Sequence, residues 1–129
     1  MNQIKNLGMN KPVYFFDTYA FFEILKGNIN YSKYTDARIV TTTFNIAELN
    51  YNLKKEKNKK ASDLITKKYW SFVVSVAFDD IIKAMDFKSK NRNLSIPDAI
   101  GYTVAKRLNI KFLTGNEDFR NFDNVEFVK

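Results

Sequence analysis

The sequence predicts an α/β domain built on a parallel sheet with helices on both faces, and three observations predict it. Short apolar runs alternate along the chain with longer segments whose apolar residues recur at helical spacing, which is the pattern of successive strand–helix–strand units. The first run, Val13-Tyr14-Phe15-Phe16, is apolar at consecutive positions rather than alternate ones, as expected of a strand covered on both sides. No internal repeat and no linker rich in Pro, Gly or Ser divides the 129 residues, a length that suits one domain with a single core (residues 1–129).

Taken in order, residues 1–12 lack both an apolar centre and a small-residue cleavage pattern, so they read as a short flexible lead rather than a signal peptide. Val13 to Asp17 is the first strand. Ala20, Phe21, Ile24 and Leu25 then give a helix from Thr18 to Lys26, stopped by Gly27-Asn28. Residues 28–37, polar and rich in Tyr, are a loop or a short helix. Arg38 to Thr42 is the second strand, and Thr43 caps a long helix reaching about Lys57. Asn58 begins a further helix with Ala61, Leu64, Ile65 and Tyr69 in register. Phe72 to Phe78 is read as a third strand, followed by a helix opening at Asp79-Asp80, where carboxylates suit the positive end of the helix dipole. Ser95 opens a helix to Asn109, Ile110 to Thr114 is a strand, a helical turn lies around Asp118 to Phe122, and Val125 to Val128 is the last strand.

Composition bounds the chemistry. With no Cys there are no disulfides and no thiolate metal site, which fits a cytoplasmic protein; with no His there is no imidazole base and no common zinc site. Apolar stretches are too short to span a membrane. Carboxylates, hydroxyls, lysines and a metal remain. The net charge of +7 attracts polyanions.

Against that basic background, four acids stand where apolar segments end: Asp17, Glu48, Asp98 and Asp118. A carboxylate in or beside an apolar run costs free energy unless something pairs with it. Four converging carboxylates need a cation, and an all-oxygen site suits Mg²⁺ or Mn²⁺. In a doubly wound sheet, ligands collect beyond the carboxyl ends of the strands where strand order reverses. Asp17 closes the first strand and Asp118 follows Ile110–Thr114, so two acids share that edge. Each also has a plainer reading. Asp17 can cap a helix, Asp98 can complete a capping box with Ser95 (Ser95-Ile96-Pro97-Asp98), and Asp118 can start a short helix. Glu48 lies beside a second apolar stripe, Phe44, Ala47 and Tyr51, which leads to the expectation that it is partly buried. The lysines from Lys54 to Lys60 form either a solvated helix face or a grip on a phosphate backbone.

An apolar strand ending in Asp17-Thr18, Glu48 in a helix after a Thr-rich strand, a Pro97-Asp98-Ala99-Ile100 helix start and the run Leu113-Thr114-Gly115-Asn116-Glu117-Asp118-Phe119 together resemble the PIN domain, and within it the VapC-type toxin ribonucleases. The resemblance spans Val13 to Val128. It implies a three-layer α/β/α sandwich around a parallel sheet of about five strands and a metal-dependent endoribonuclease. It also implies an acidic quartet of Asp17, Glu48, Asp98 and Asp118 on Mg²⁺ or Mn²⁺, with Thr18, Thr114 and Asn116 in support. Asn116 stands where many relatives carry Asp, and Tyr19 where a smaller Ser or Asn is usual. Lys54, Lys55, Arg92 and Arg120, with Arg38 and Arg107 if they face the cleft, are candidates to position RNA. A small antitoxin and a homodimer are implied partners, for which the Tyr-rich segment and the long helix offer apolar surface. The competing readings are a PIN-like module that binds RNA or protein without cutting, and a free-standing RNA-processing nuclease. A haloacid-dehalogenase-like phosphatase and a receiver domain fit poorly, because Asp17 has no acidic neighbour at the positions they require.

Overall fold

The computed structural model describes residues 11–129; of the expected flexible lead, residues 1–10 lie outside the described residues. Four strands, β1 (Val13–Phe16), β2 (Arg38–Val40), β3 (Lys111–Thr114) and β4 (Val125–Phe127), form one sheet in the order β2-β1-β3-β4, every pairing parallel. Chain order proceeds from β1 outward to β2 and then returns across it to β3, so direction reverses between β1 and β3. That is where such sheets bind ligands.

Five helices cover the sheet: α1 (Thr18–Lys26), α2 (Thr43–Glu56), α3 (Lys59–Tyr69), α4 (Phe78–Lys90) and α5 (Ile96–Arg107). The pleat splits the adjacent aromatics of β1. Phe15 packs with Phe112 beneath α4 and α5, while Phe16 packs with Leu113 beneath α1 and α2, giving two apolar layers with the sheet between them. Local signals set the boundaries. Gly27 closes α1 with φ of 74°, which side chains rarely adopt; Thr42 and Asn58 cap α2 and α3; Ser95 caps α5.

Two expectations are corrected. Phe72–Phe78 is not a strand: the chain makes one isolated parallel bridge, Thr41 to Val73, and then runs irregularly until α4 begins at Phe78. The reason is the short partner. β2 ends at Val40 and Thr42 already caps α2, so no ladder is left to extend. Val74 and Val76 are partly buried by packing on the α5 side instead. Likewise, the tyrosines of the Tyr-rich segment are not its apolar surface, although Ile29 at its start is 81% exposed. Tyr31 and Tyr34 lie on a 3-10 turn (Ile29–Tyr34), buried, with hydroxyls donating to the Val128 carbonyl and to Glu126.

Candidate metal centre

The site is assembled from the ends of β1 and β3, the second turn of α2 and the first turn of α5. Asp17 follows β1 and caps α1. Its Oδ1 accepts from the Thr18 backbone N–H at 2.8 Å, and its Oδ2 accepts from the Thr114 hydroxyl, at the end of the adjacent strand, at 2.7 Å. Thr114 Oγ1 in turn accepts from the Asn116 N–H at 3.0 Å, so the turn after β3 is fixed to the acid that follows β1. Thr18 donates its own hydroxyl to Glu48 Oε1, on α2, at 2.7 Å. Asp98 makes the expected capping box: Oδ2 accepts from the Ser95 N–H at 3.0 Å while Ser95 Oγ accepts from the Asp98 N–H at 3.1 Å. The capping and metal readings of Asp17 and Asp98 are therefore compatible, because one carboxylate has oxygens for both.

Asp17, Glu48 and Asp98 each present a carboxylate oxygen within 4.8 Å of the others. Asp118 is not part of that trio. It stands exposed on a 3-10 turn (Glu117–Phe119) on the wall of the same cavity, close enough for its charge to act on Asp98. The cavity holds about 760 Å³ and is lined by Asp17, Glu23, Glu48, Glu56, Asp98, Glu117 and Asp118 against three lysines, Lys26, Lys55 and Lys129. Half of the chain's fourteen carboxylates thus face one opening in a protein of net charge +7.

Electrostatics follow from that crowding. Burial pushes Asp17 well above the ordinary carboxylate range, and the charges of Asp98 and Glu48 add to the rise, against the opposing Thr114 and Thr18 hydrogen bonds. Burial also raises Asp98, opposed by Ser95 and reinforced by Asp118; it raises Glu48, opposed by the Thr18 hydroxyl and reinforced by Asp98. Asp17, the most enclosed of the three, takes the largest rise. Among the described residues, no Lys or Arg contributes to any of the three shifts. Hard oxygen donors, mutual repulsion and no protein cation fit a divalent ion of the Mg²⁺ or Mn²⁺ class.

The remaining expected residues divide. Asn116 commits its amide oxygen to the Asp118 N–H at 3.0 Å, capping the turn. Tyr19 lines the cavity and its ring packs over Gly115, where an added Cβ would collide with that ring and with the Val128 carbonyl oxygen, so Gly115 is required by close approach. Lys55 lines the cavity, its ammonium 4.4 Å from the centre of the Tyr51 ring. Lys54 is instead drawn to Asp63 of α3 at 3.1 Å. Arg120 forms a two-pronged pair with Glu117 and lies over Phe127; Arg107 pairs with Asp80; Arg38 sits at the opposite, amino end of β2. Arg92 is exposed beside the cavity residue Asn93. The stripe of Phe44 and Tyr51 faces outward, 37% and 65% exposed, so Glu48 owes its partial burial to Thr18 and the start of α5, not to that stripe. Sequence reasoning passed over Asn45, fully buried one turn before Glu48; a polar residue at the core-facing position beside Ile46 and Leu49 was the available signal.

The comparisons agree with this architecture. No curated protein matches the chain. Among solved structures, a toxin–antitoxin complex from Klebsiella pneumoniae aligns over 88% of this chain and 95% of its own, with TM-score 0.67 and 18% identity. VapBC2 from Rickettsia felis, bound to a DNA fragment from its promoter, aligns over 90% and 97%, with TM-score 0.67 and 16% identity. PAE2754 from Pyrobaculum aerophilum aligns over 92% of each chain, with TM-score 0.66 and 18% identity. At such identities the likeness is one of fold. The family model described as PIN domain matches residues 14–125, nearly the whole described chain, and on that match the protein belongs to the PIN domain family.

Proposed function

We propose that this protein is a metal-dependent endoribonuclease, the toxin of a toxin–antitoxin pair acting in the cytoplasm. The observation that carries the reading is the convergence of Asp17, Glu48 and Asp98, oxygens within 4.8 Å, with no cation of the described residues set against them. PIN domains are generally metal-dependent nucleases, and the chain's structural neighbours include toxin–antitoxin complexes.

Asp17, Glu48 and Asp98 hold a divalent cation, Mg²⁺ or Mn²⁺. When bound, it supplies Lewis-acid chemistry, acidifying water and drawing charge from a phosphoryl oxygen. Thr114 and Thr18 fix the rotamers of Asp17 and Glu48 through the hydrogen bonds described above. Asp118, exposed on the cavity wall, would orient the attacking water. Lys55 reaches the backbone of the RNA from the α2 rim, whereas Lys26 and Lys129 are paired with Glu23 and Glu117; such backbone contacts give affinity without sequence choice. The basic exterior steers the polyanion toward an opening that is itself acidic, so productive binding depends on the metal. Because Asn116 caps a turn and is outside the trio, its being an amide removes no charge from the three ligands, which favours a cutting enzyme over a module that only binds. The antitoxin and the homodimer are carried over from the resemblance, and exposed Phe44, Tyr51 and Leu64 give apolar area for a protein contact.

The test is cleavage of a single-stranded RNA with Mn²⁺ supplied. Asp17→Asn and Asp98→Asn each lower the rate by more than about a hundredfold. Undiminished cleavage in both would remove the reading.

A further inference from the structure

Asn45 is buried without any exposed surface, yet it is a polar residue inside a helix. An amide so placed is costly unless its groups are bound. Its Oδ1 accepts from the hydroxyl of Thr42, the cap of α2, at 2.6 Å, and its Nδ2 is aimed at the Pro97 carbonyl oxygen, 3.4 Å away in the first turn of α5. The helices can approach this closely because residue 101 is glycine. A Cβ there would stand 3.1 Å from Asn45 Oδ1 and 2.8 Å from Phe15 Cε1. One amide thus ties the start of α2 to the start of α5. Glu48 lies one turn beyond Asn45 on α2, and Asp98 is the residue after Pro97.

Those two acids repel each other, and the repulsion acts across the same helix pair that the amide joins. The other polar residues near them bond the carboxylates directly: Thr114 holds Asp17, Thr18 holds both Asp17 and Glu48, and Ser95 acts on both Asp98 and Glu48. Asn45 differs from these in touching neither acid: it joins the two helices that carry Glu48 and Asp98 through the Pro97 carbonyl.

We infer that Asn45 is a positioning residue for the metal centre, holding α2 and α5 at the separation that keeps Glu48 and Asp98 within reach of one cation. The inference rests on the reading of the trio as a metal site. Its effect is on affinity: without the tether, part of the binding energy goes into drawing the helices together.

The test is Mn²⁺ affinity, measured by electron paramagnetic resonance well below the melting temperature. Asn45→Leu fills similar volume but makes neither hydrogen bond, and its affinity is expected to fall about tenfold or more, as for other residues that support metal ligands indirectly. A role confined to stability would lower the melting temperature and leave the affinity of the folded protein unchanged, and that result overturns the inference. A wild-type protein that binds no Mn²⁺ overturns the metal reading and this inference together, whereas tight binding by wild type and by Asn45→Leu alike overturns this inference only. If Asn45→Leu does not fold, hydrogen exchange of the Asn45 side-chain NH₂ in wild type decides. Saturating Mg²⁺ is expected to slow it, because the metal removes the repulsion that opens the helix pair; exchange indifferent to Mg²⁺ overturns the inference.

Discussion

Asp17 and Asp80 are the two most deeply buried carboxylates of the described residues, 1% and 2% exposed, and they are treated in opposite ways. Burial pushes both upward. At Asp80 the Arg107 guanidinium, 2.9 Å and 3.1 Å from its two oxygens, and the Ala77 N–H outweigh burial and hold the carboxyl below its ordinary range. At Asp17 no Lys or Arg of the described residues contributes; two further carboxylates do, and the carboxyl is driven well above that range. The first arrangement anchors the start of α4 to the end of α5. The second caps α1 and accepts from Thr114, but those hydrogen bonds do not offset burial and repulsion, so it favours a proton or a foreign cation. Burial alone does not mark a functional acid; the partner does.

The comparison can be broken or sharpened by experiment. The largest stability effect is expected at the structural acid. Arg107→Met leaves Asp80 without its cation and lowers stability by about 1–2 kcal/mol in denaturant melts; the figure sits below that of a fully enclosed pair because Arg107 is itself 42% exposed. A neutral outcome would mean that Asp80 is anchored by the Ala77 N–H alone.

Next comes pH. Carboxyls raised in the folded state bind protons more readily there than when unfolded, so their contribution is unfavourable at neutral pH and relieved as pH falls toward the ordinary carboxylate value of about 4. Metal-free protein should therefore gain thermal stability between about pH 7 and pH 5, from Asp17, Glu48 and Asp98. Groups of the other sign, Asp80 and the exposed Glu117 at about 2, withdraw their contribution only at lower pH. Asp17→Asn should flatten the gain. Saturating Mg²⁺ should reverse it, since bound ligands must be deprotonated. Melting temperatures that rise steadily toward pH 8 without metal would contradict the electrostatic account.

The smallest effect is expected at Ser62, whose buried hydroxyl has no partner among the described residues. Ser62→Ala should add about 0.5–1 kcal/mol and leave Mn²⁺ affinity untouched, because α3 carries none of the three ligands.

How much of this was legible beforehand depended on how local each signal is. Asp17 and Asp98 could be found because they sit at punctuation: the end of an apolar strand and a Ser-x-Pro-Asp helix start. Glu48 was found, but for a mistaken reason, since the Phe44 and Tyr51 stripe thought to cover it faces solvent. Phe72–Phe78 read as a strand because apolar periodicity reports burial, and burial here comes from side-chain packing where β2 is too short to offer a ladder. The pairing of Arg107 with Asp80 across 27 residues, and the amide of Asn45 reaching Pro97 across 52, carry no local signature at all. Among the basic residues, Lys54 and Arg120 looked as available as Lys55; only the fold shows which have a carboxylate beside them.

The central claim is that β1, α2 and α5 deliver three carboxylates to one ion. Anomalous diffraction from crystals grown with Mn²⁺ tests it most directly. The account expects a single strong peak coordinated by oxygens of Asp17, Glu48 and Asp98, absent from Asp17→Asn crystals. Fully occupied Mn²⁺ elsewhere on the surface, with the space between those three acids empty, would contradict it.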